Sequence, residues 1–206
     1  MIKNPPRTLI YLASRSPRRR ELLKQIGVSF EVLVLREHPA RGGPDVDESQ
    51  LAGELPDDYV RRVSRAKADV GWDRVVQRRL RRFPVLAADT VVCVDDKILG
   101  KPADSAEAAR MLRLLSGREH RVLTAVALKF EARSELLVSE SRVRFCELAT
   151  PELEAYIESG EPADKAGAYA VQGRAAAFVT ELHGSYSGIM GLPLYETAQL
   201  IRKFGS

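Results

Sequence analysis

Three consecutive arginines follow the residues at which a helix is expected to begin. Ser16 and Pro17 are typical of a helix start, so the predicted helix carries Arg18 and Arg19 at its second and third positions. The free amides of a helix N-terminus already bear about half a positive charge, which makes added arginines locally unfavourable. A phosphate held by these amides and by arginine side chains would offset that cost. The alternative is that the arginines extend into solvent and bind nothing.

Two charged residues stand at positions that the hydrophobic pattern predicts to be buried. Asp89 interrupts an apolar, β-branched stretch at 83–95, where an unpaired carboxylate is costly. It therefore belongs to a structural hydrogen-bond network, pairs with a cation such as Lys101, or holds a metal ion and a reacting water. Lys67 lies on the apolar stripe of a predicted helix, so its ammonium either extends to solvent or meets an anion.

An acidic run, Asp45, Asp47 and Glu48, lies in a predicted loop at 36–56 that is rich in glycine and proline. Carboxylate oxygens are the ligands that Mg²⁺ and Mn²⁺ prefer, so this run is a candidate metal site; a solvated loop is the alternative. The histidines and cysteines have no zinc-site spacing, and we expect structural roles for them. They are His38, His120, His183, Cys93 and Cys146.

Hydrophobic periodicity and end signals predict the elements that must position these side chains. Strands are predicted at 8–13, 30–35, 83–95 with a break at Asp89 and Thr90, 98–99, 122–130, 136–148, 168–171 and 176–182. Helices are predicted at 17–26, from 57 to beyond 70, 105–116, 150–160 and 193–204, with a glycine-rich turn before the last. The candidate residues therefore fall at a strand-to-helix turn, in a loop, on a helix and inside a strand.

Length and composition suit one globular domain spanning 1–206. The chain has 206 residues, 45% of them hydrophobic and 29% charged, which excludes collagen-like, low-complexity and wholly disordered classes. No apolar stretch approaches the roughly 20 residues of a membrane span, and the N-terminal pattern is not that of a secretory signal. We therefore expect a cytoplasmic protein without a membrane partner. The net charge of +4 points to polyanionic partners without choosing among nucleic acid, nucleotides and phosphates.

Several short motifs, taken in order along nearly the whole chain from 8 to 205, resemble the Maf (septum formation inhibitor) family. They are Leu12-Ala-Ser-Arg-Ser-Pro-Arg-Arg19, Asp45-Val-Asp-Glu-Ser49, Ala66-Lys67-Ala68, Ala88-Asp-Thr-Val91, Gly100-Lys-Pro102, Asp164-Lys-Ala-Gly-Ala-Tyr169, Gln172-Gly173 and Gly191-Leu-Pro193. The resemblance implies an α/β fold, a mixed twisted sheet flanked by helices, similar to that of the inosine triphosphatases. It also implies a cytoplasmic, homodimeric nucleoside triphosphate pyrophosphatase that uses a divalent cation: Mg²⁺, Mn²⁺ or Co²⁺.

The same resemblance implies a role for each candidate residue. Arg18 and Arg19, together with Ser14, would bind the polyphosphate, and Lys67 and Lys101 would neutralise charge that develops on it. Glu48 and Asp89 would hold the metal, and Asp89 would also orient or deprotonate the attacking water. Arg18, Thr90 and Gln172 match positions that govern base choice. The motifs Ala168-Tyr-Ala-Val-Gln-Gly173 and Gly184-Ser-Tyr-Ser187 are similar to the branch that acts on dTTP and UTP.

Three other functions stay open at this point. The basic clusters could form a phosphate track of a nucleic-acid-binding protein without turnover, although aromatic residues make up only 6% and stacking platforms are not evident. The chain could instead belong to the 7-methyl-GTP branch of the same family. A phosphatase of sugars or proteins would release orthophosphate, but no cysteine or serine nucleophile motif supports it.

Overall fold

Strands of both orientations form one sheet in the computed structural model, which describes residues 9–36 and 45–204. They are β1 (Ile10–Leu12), β2 (Phe30–Val32), β3 (Val85–Val94), β4 (Lys97–Leu99), β5 (Glu119–Phe130), β6 (Arg133–Phe145) and β7 (Val179–His183). The strand order is β2-β1-β3-β5-β6-β7, with β4 paired to β3. β1 is parallel to β2 and β3, and the other pairs are antiparallel. The predicted α/β fold with a mixed sheet is confirmed.

Helices cover both faces of this sheet. They are α1 (Pro17–Gln25), α2 (Pro56–Gln77), α3 (Ser105–Leu115), α4 (Thr150–Glu158), α5 (Tyr186–Ile189) and α6 (Leu194–Phe204). α2 packs its Val60, Ala68 and Trp72 on one face, whereas α1, α3, α4 and α6 contribute to the clusters on the other. Within the described residues, the model contains no helix with the length and hydrophobicity that a membrane span requires.

Local end signals explain why α1 and the β3–β4 turn form where the sequence predicts them. The Ser16 hydroxyl accepts a hydrogen bond from the amide of Arg19, and Pro17 occupies the first turn. Gly27 ends α1 in the left-handed conformation, at a φ of +71°. Asp95 and Asp96 also have positive φ angles, 49° and 58°, as a two-residue hairpin turn requires.

The short first strand leaves a gap along one edge of β3. The register of β1 with β3 ends at Leu86, and the register of β4 with β3 begins at Val92. Between these points no described strand pairs with that edge of β3, and Asp89 and Thr90 lie in the gap. After β1 the chain passes through α1 to β2, which pairs with one edge of β1. It then passes through α2 to β3, which pairs with the other edge of β1. Such a switch point at the carboxyl end of parallel strands is where α/β folds bind ligands.

Several predicted boundaries are wrong. β3 runs unbroken through Asp89 and Thr90, because β5 pairs with both residues on the opposite edge. β2 ends at Val32, whereas the predicted strand at 30–35 extends three residues further. The turn predicted before the last helix contains the short helix α5. α2 begins at Pro56, the last residue of the predicted loop at 36–56. Residues 37–44 of that loop lie outside the described residues, and so does position 8 of the predicted first strand.

No strand forms at 168–171. Gly167 and Ala168 both have positive φ angles, 68° and 60°, so the chain turns in a 3-10 helix (Ala166–Ala168) instead of extending. A Cβ atom on Gly167 would lie 2.8 Å from Cγ1 of Val92, which ties this turn closely to β3. The predicted strand at 176–182 is divided between a second 3-10 helix (Arg174–Phe178) and β7. The first of these turns therefore packs against β3 beside the gap in the sheet.

Candidate active site

A cavity of about 860 Å³ opens at the gap beside β3. The nine residues to which the family resemblance assigns a role all line it: Ser14, Arg18, Arg19, Glu48, Lys67, Asp89, Thr90, Lys101 and Gln172. Seven cationic side chains line the cavity against three anionic ones. A concave site with this excess of positive charge attracts a polyanion.

Lys67 joins two carboxylates at one end of the cavity. Its ammonium donates to Oδ1 of Asp89 at 2.8 Å and to Oε2 of Glu48 at 2.9 Å. The Lys67 and Asp89 side chains are only 14% and 11% exposed, whereas Glu48 is 46% exposed. Of the alternatives for Lys67, the structure shows an anion rather than solvent. The partner of Asp89 is Lys67 rather than Lys101, which lies exposed at the cavity edge.

Packing of α2 on the sheet brings Lys67 to Asp89. Ser64 lies one turn before Lys67, and its buried hydroxyl donates to the carbonyl of Ala125 at 2.9 Å. Ala125 of β5 is the register partner of Asp89 in β3. α2 is therefore fixed to the sheet beside Asp89, and this places Lys67 close enough for its side chain to reach the carboxylate.

Only Glu48 of the acidic run reaches the cavity. Asp47 instead accepts hydrogen bonds from the amide and the hydroxyl of Ser49, at 2.9 and 2.7 Å. Asp45 is enclosed by two arginines: Nε of Arg36 lies 2.9 Å from Oδ1 of Asp45, and Nη2 of Arg74 lies 2.6 Å from it. Burial acts to raise the pKa of Asp45, but hydrogen bonds from Arg36 and Arg74 outweigh it and lower the pKa to about 2. Asp45 and Asp47 are therefore structural residues.

The donor set fits a divalent cation that completes its shell with substrate and water. Lys67 engages Oδ1 of Asp89 and Oε2 of Glu48, which leaves Oδ2 and Oε1 as hard oxygen ligands. No group of three or more His, Cys, Asp and Glu side chains that could hold a metal occurs in the described part of the chain. Mg²⁺ commonly binds through one or two carboxylates plus phosphates, whereas structural zinc needs four protein ligands. Asp89 and Glu48 therefore suit Mg²⁺ or Mn²⁺.

The N-terminus of α1 forms the second part of the site. Arg19 turns back from the helix, and its Nε donates to the carbonyl of Gly191 at 2.7 Å. Its two terminal nitrogens lie 3.3 Å from the hydroxyls of Ser14 and Thr90. Burial acts to lower the pKa of Arg19, whereas the charge of Asp89 raises it. Arg19 is therefore bonded within the protein, which excludes for this residue the alternative that it extends into solvent and binds nothing.

Arg18 and Lys165 add positive charge near this helix end. Burial lowers the pKa of Arg18. Burial also lowers the pKa of Lys165, and the charge of Arg18 lowers it further. Lys165 was absent from the residues predicted for the site, as was Arg36, although both line the cavity. Lys165 belongs to a motif that carries the family resemblance, which is the signal that could have identified it.

An apolar part of the cavity lies beside Gln172. Its walls include Val92, Val122, Ile189 and Met190, and Gln172 stands exposed at the edge. Gln172 lies in the turn between the two 3-10 helices, where its side chain is exposed at the mouth of the cavity. An exposed amide is hydrated in the free protein, and on binding it exchanges hydrogen bonds with water for hydrogen bonds with the base.

A buried polar pair supports this apolar wall. His120 Nε2 lies 2.8 Å from the hydroxyl of Tyr169, which lines the cavity. Burial lowers the pKa of His120 to about 4, so the ring is neutral at pH 7. His183 is exposed on β7, and His38 lies outside the described residues. Cys93 is buried as expected, whereas Cys146 is only partly buried.

Comparison with known proteins agrees with the resemblance found in the motifs. Residues 9–204 match the family model described as Maf-like protein. A dTTP/UTP pyrophosphatase of Nitrosomonas europaea is 54% identical over 201 residues, which cover 98% of this chain and 97% of the relative. Proteins of the same name from Aromatoleum aromaticum and Cupriavidus metallidurans are 53% and 52% identical, covering 98% and 96% of this chain and 98% of each relative. The chain therefore belongs to the Maf family.

Proposed function

We propose that this protein is a metal-dependent pyrophosphatase that hydrolyses dTTP and UTP to the nucleoside monophosphate and pyrophosphate. The observation that carries the proposal is the convergence of Glu48, Lys67 and Asp89 beside the arginine-bearing N-terminus of α1, in one cation-lined cavity. Relatives more than 50% identical along nearly the whole chain bear the name of this activity.

The phosphates fit the cationic part of the cavity. The backbone amide and the guanidinium of Arg18, at the N-terminus of α1, offer donors to a triphosphate. Ser14 and Arg19 are already bonded to each other, so they present a preorganised donor pair. Lys101 also lines the cavity, and in this proposal it neutralises charge that develops on the leaving pyrophosphate.

Asp89 is the general base in this proposal. Lys67 holds Oδ1, and Oδ2 has two lone pairs, so one can face a cation while the other accepts a proton from a water that attacks the α-phosphorus, as the bond to the bridging α–β oxygen breaks. A divalent cation held by Asp89 and Glu48 would supply charge neutralisation of the phosphates when bound. Lys67 keeps the carboxylate of Asp89 oriented, because it donates a hydrogen bond directly to Oδ1.

The base fits the apolar part of the cavity. The amide of Gln172 offers a donor and an acceptor that match the O4 and N3–H edge shared by thymine and uracil. Thr90 lies at the junction between this region and the phosphate site, and Thr124 holds it there with an Oγ1–Oγ1 distance of 3.0 Å. This arrangement supports a pyrimidine nucleotide.

The contacts of the basic clusters favour this proposal over nucleic-acid binding. In the basic cluster at 61–67, Arg62 and Lys67 pair with carboxylates within the protein, and in the cluster at 74–82 Arg74 and Arg82 do the same. Cationic side chains that already pair with carboxylates within the protein are poorly available to bind the phosphates of a nucleic acid. The cationic side chains that converge do so inside a cavity, which suits a small polyanion.

The test is a panel of canonical and modified nucleoside triphosphates with Mg²⁺, Mn²⁺ and Co²⁺, scored separately for pyrophosphate and orthophosphate. We expect pyrophosphate release that is fastest with dTTP and UTP. Preference for 7-methyl-GTP would assign the other branch of the family, and orthophosphate release would assign a phosphatase. Salt-dependent binding of RNA or DNA without turnover would refute the enzymatic proposal.

The proposal includes the setting in which the enzyme works. We infer a single domain over 1–206, a cytoplasmic location and a homodimer, each supported by the family resemblance. Light scattering during gel filtration measures the oligomeric state, and fluorescence of a tagged protein in cells reports the location. A monomer in solution would refute the homodimer without touching the reaction.

A further inference from the structure

The backbone around Glu48 is held by side chains of a single helix turn. The hydroxyl of Tyr59 donates to the carbonyl of Glu48 at 2.8 Å. The guanidinium of Arg62 donates to the carbonyls of Asp47 and Ser49, at 3.2 and 2.8 Å. Three successive carbonyls thus bind two residues of α2 that lie three positions apart, which is the spacing of neighbours on one helix face.

Arg62 is itself fixed in orientation. It forms a fork with the carboxylate of Glu54, in which Nε lies 2.6 Å from Oε1 and Nη2 lies 2.9 Å from Oε2. The Glu54 side chain is only 7% exposed, and it also accepts from the amide of Leu51 at 3.0 Å. The guanidinium lies over the ring of Tyr59, 5.4 Å from its centroid. Arg62 therefore presents its remaining donors to the segment from a rigid position.

Glu48 is consequently held at two ends by α2. Tyr59 holds its carbonyl, Arg62 holds the carbonyls of the residues on either side, and Lys67, further along the helix, holds its carboxylate. A cation that takes the carboxylate would weaken the contact with Lys67, because both compete for the same oxygens. The backbone contacts would then be what keeps Glu48 directed into the cavity.

We propose that Tyr59 and Arg62 are positioning residues that set the metal affinity of the site by fixing Glu48 within reach of Asp89. The inference rests on the proposed function, in which Glu48 and Asp89 hold the cation. Tyr59 and Arg62 do not line the cavity, so they act through Glu48 rather than on the substrate. Substitution of residues that orient metal ligands typically costs about 10- to 100-fold in metal affinity or activity.

The test measures Mn²⁺ binding directly, by the electron paramagnetic resonance signal of free Mn²⁺, with the full-length protein and non-hydrolysable α,β-imido-dUTP. Arg62→Gln should raise the Kd for Mn²⁺ about tenfold, and Tyr59→Phe, which loses one hydrogen bond, about fivefold. Arg62→Lys keeps the charge but loses the fork, so it should restore part of the affinity. Arg61→Gln is the matched control, because Arg61 is exposed on the same helix.

Pyrophosphate release at saturating Mn²⁺ provides the second readout. We expect kcat of Tyr59→Phe and Arg62→Lys to return to within about twofold of wild type when metal saturates the site. Unchanged Mn²⁺ affinity in both Tyr59→Phe and Arg62→Gln, or a loss of kcat that added metal does not restore, would overturn the inference. If Arg62→Gln fails to fold, Tyr59→Phe and Arg62→Lys decide the matter.

The two proposals fail in different ways. A wild-type protein that binds Mn²⁺ with the analogue but releases no pyrophosphate would refute the function, and the Mn²⁺ titrations would still decide the role of Tyr59 and Arg62. A wild-type protein that releases pyrophosphate, with variants that match Arg61→Gln in every titration, would refute only the positioning role. A wild-type protein that binds no Mn²⁺ would overturn both.

Discussion

Replacement of Asp89 by asparagine separates the chemistry of the site from its stability. Asparagine keeps the shape of the side chain and can still accept a hydrogen bond from Lys67, which now lies 2.8 Å from Oδ1. It cannot serve as a base, so we expect kcat to fall at least about a hundredfold. That loss corresponds to about 2.7 kcal/mol or more of transition-state stabilisation.

The stability of Asp89→Asn should change much less. The Lys67 ammonium can still donate a hydrogen bond to the amide oxygen, but the negative charge of the acceptor is lost, and we expect this to cost about 1–2 kcal/mol in the free energy of unfolding. Removal of a buried charge offsets part of this loss, and Lys67 keeps Glu48 as a partner at 2.9 Å. At about 2–4 °C per kcal/mol for a chain of this size, Tm should fall by no more than about 8 °C.

Steady-state pyrophosphate release and thermal melts of the same preparations measure the two effects. Asp69→Asn is the matched control, because Asp69 lies on α2 and pairs with Lys129 at 3.0 Å, away from the cavity. The control should retain a rate within about twofold of wild type. A near wild-type rate for Asp89→Asn would show that Asp89 is structural, and the proposed mechanism would be wrong.

Three further predictions follow from the contacts of the site. Arg18→Ala should lower kcat/KM without lowering Tm. Arg19→Ala should lower both, with a Tm loss of about 2–8 °C because its hydrogen-bond partners are left unsatisfied; equal Tm values of the two variants without ligand would contradict this. Gln172→Ala should reduce discrimination between dTTP and GTP by about fivefold, the effect of one exposed hydrogen bond, and an equal fall of kcat/KM for dTTP, UTP, CTP and GTP would show that Gln172 does not recognise the base. Asp45→Asn should cost about 2 kcal/mol in the free energy of unfolding at pH 7, because the folded pKa of about 2 lies below the unfolded value of 3.8. That difference is present above pH 4 and disappears as the pH falls through 2, so urea unfolding at a series of pH values should show it shrinking, and a constant difference would refute the linkage.

Local signals in the sequence predict the elements that carry most of the site. Ser16, Pro17 and Gly27 bracket α1, and the alternation along β5 and β6 identifies a long hairpin. These predictions succeed because caps and side-chain alternation depend on neighbours a few residues away. The break predicted at Asp89 fails because a polar residue inside a strand can be stabilised by a partner distant in sequence. Here that partner is Lys67.

The sequence by itself also determined which side chains are candidates, since the charges at Arg18, Lys67 and Asp89 conflict with their predicted surroundings. Only the tertiary structure decided how they meet. Glu48 and Asp89 are far apart in the chain, and they share one ammonium because α2 crosses the sheet where β1 has already ended. It also decided that Asp45 is structural and that Glu48 enters the cavity. The physical reason is that strand lengths and pairing partners, rather than local propensity, create the gap beside β3 and place the charges around it.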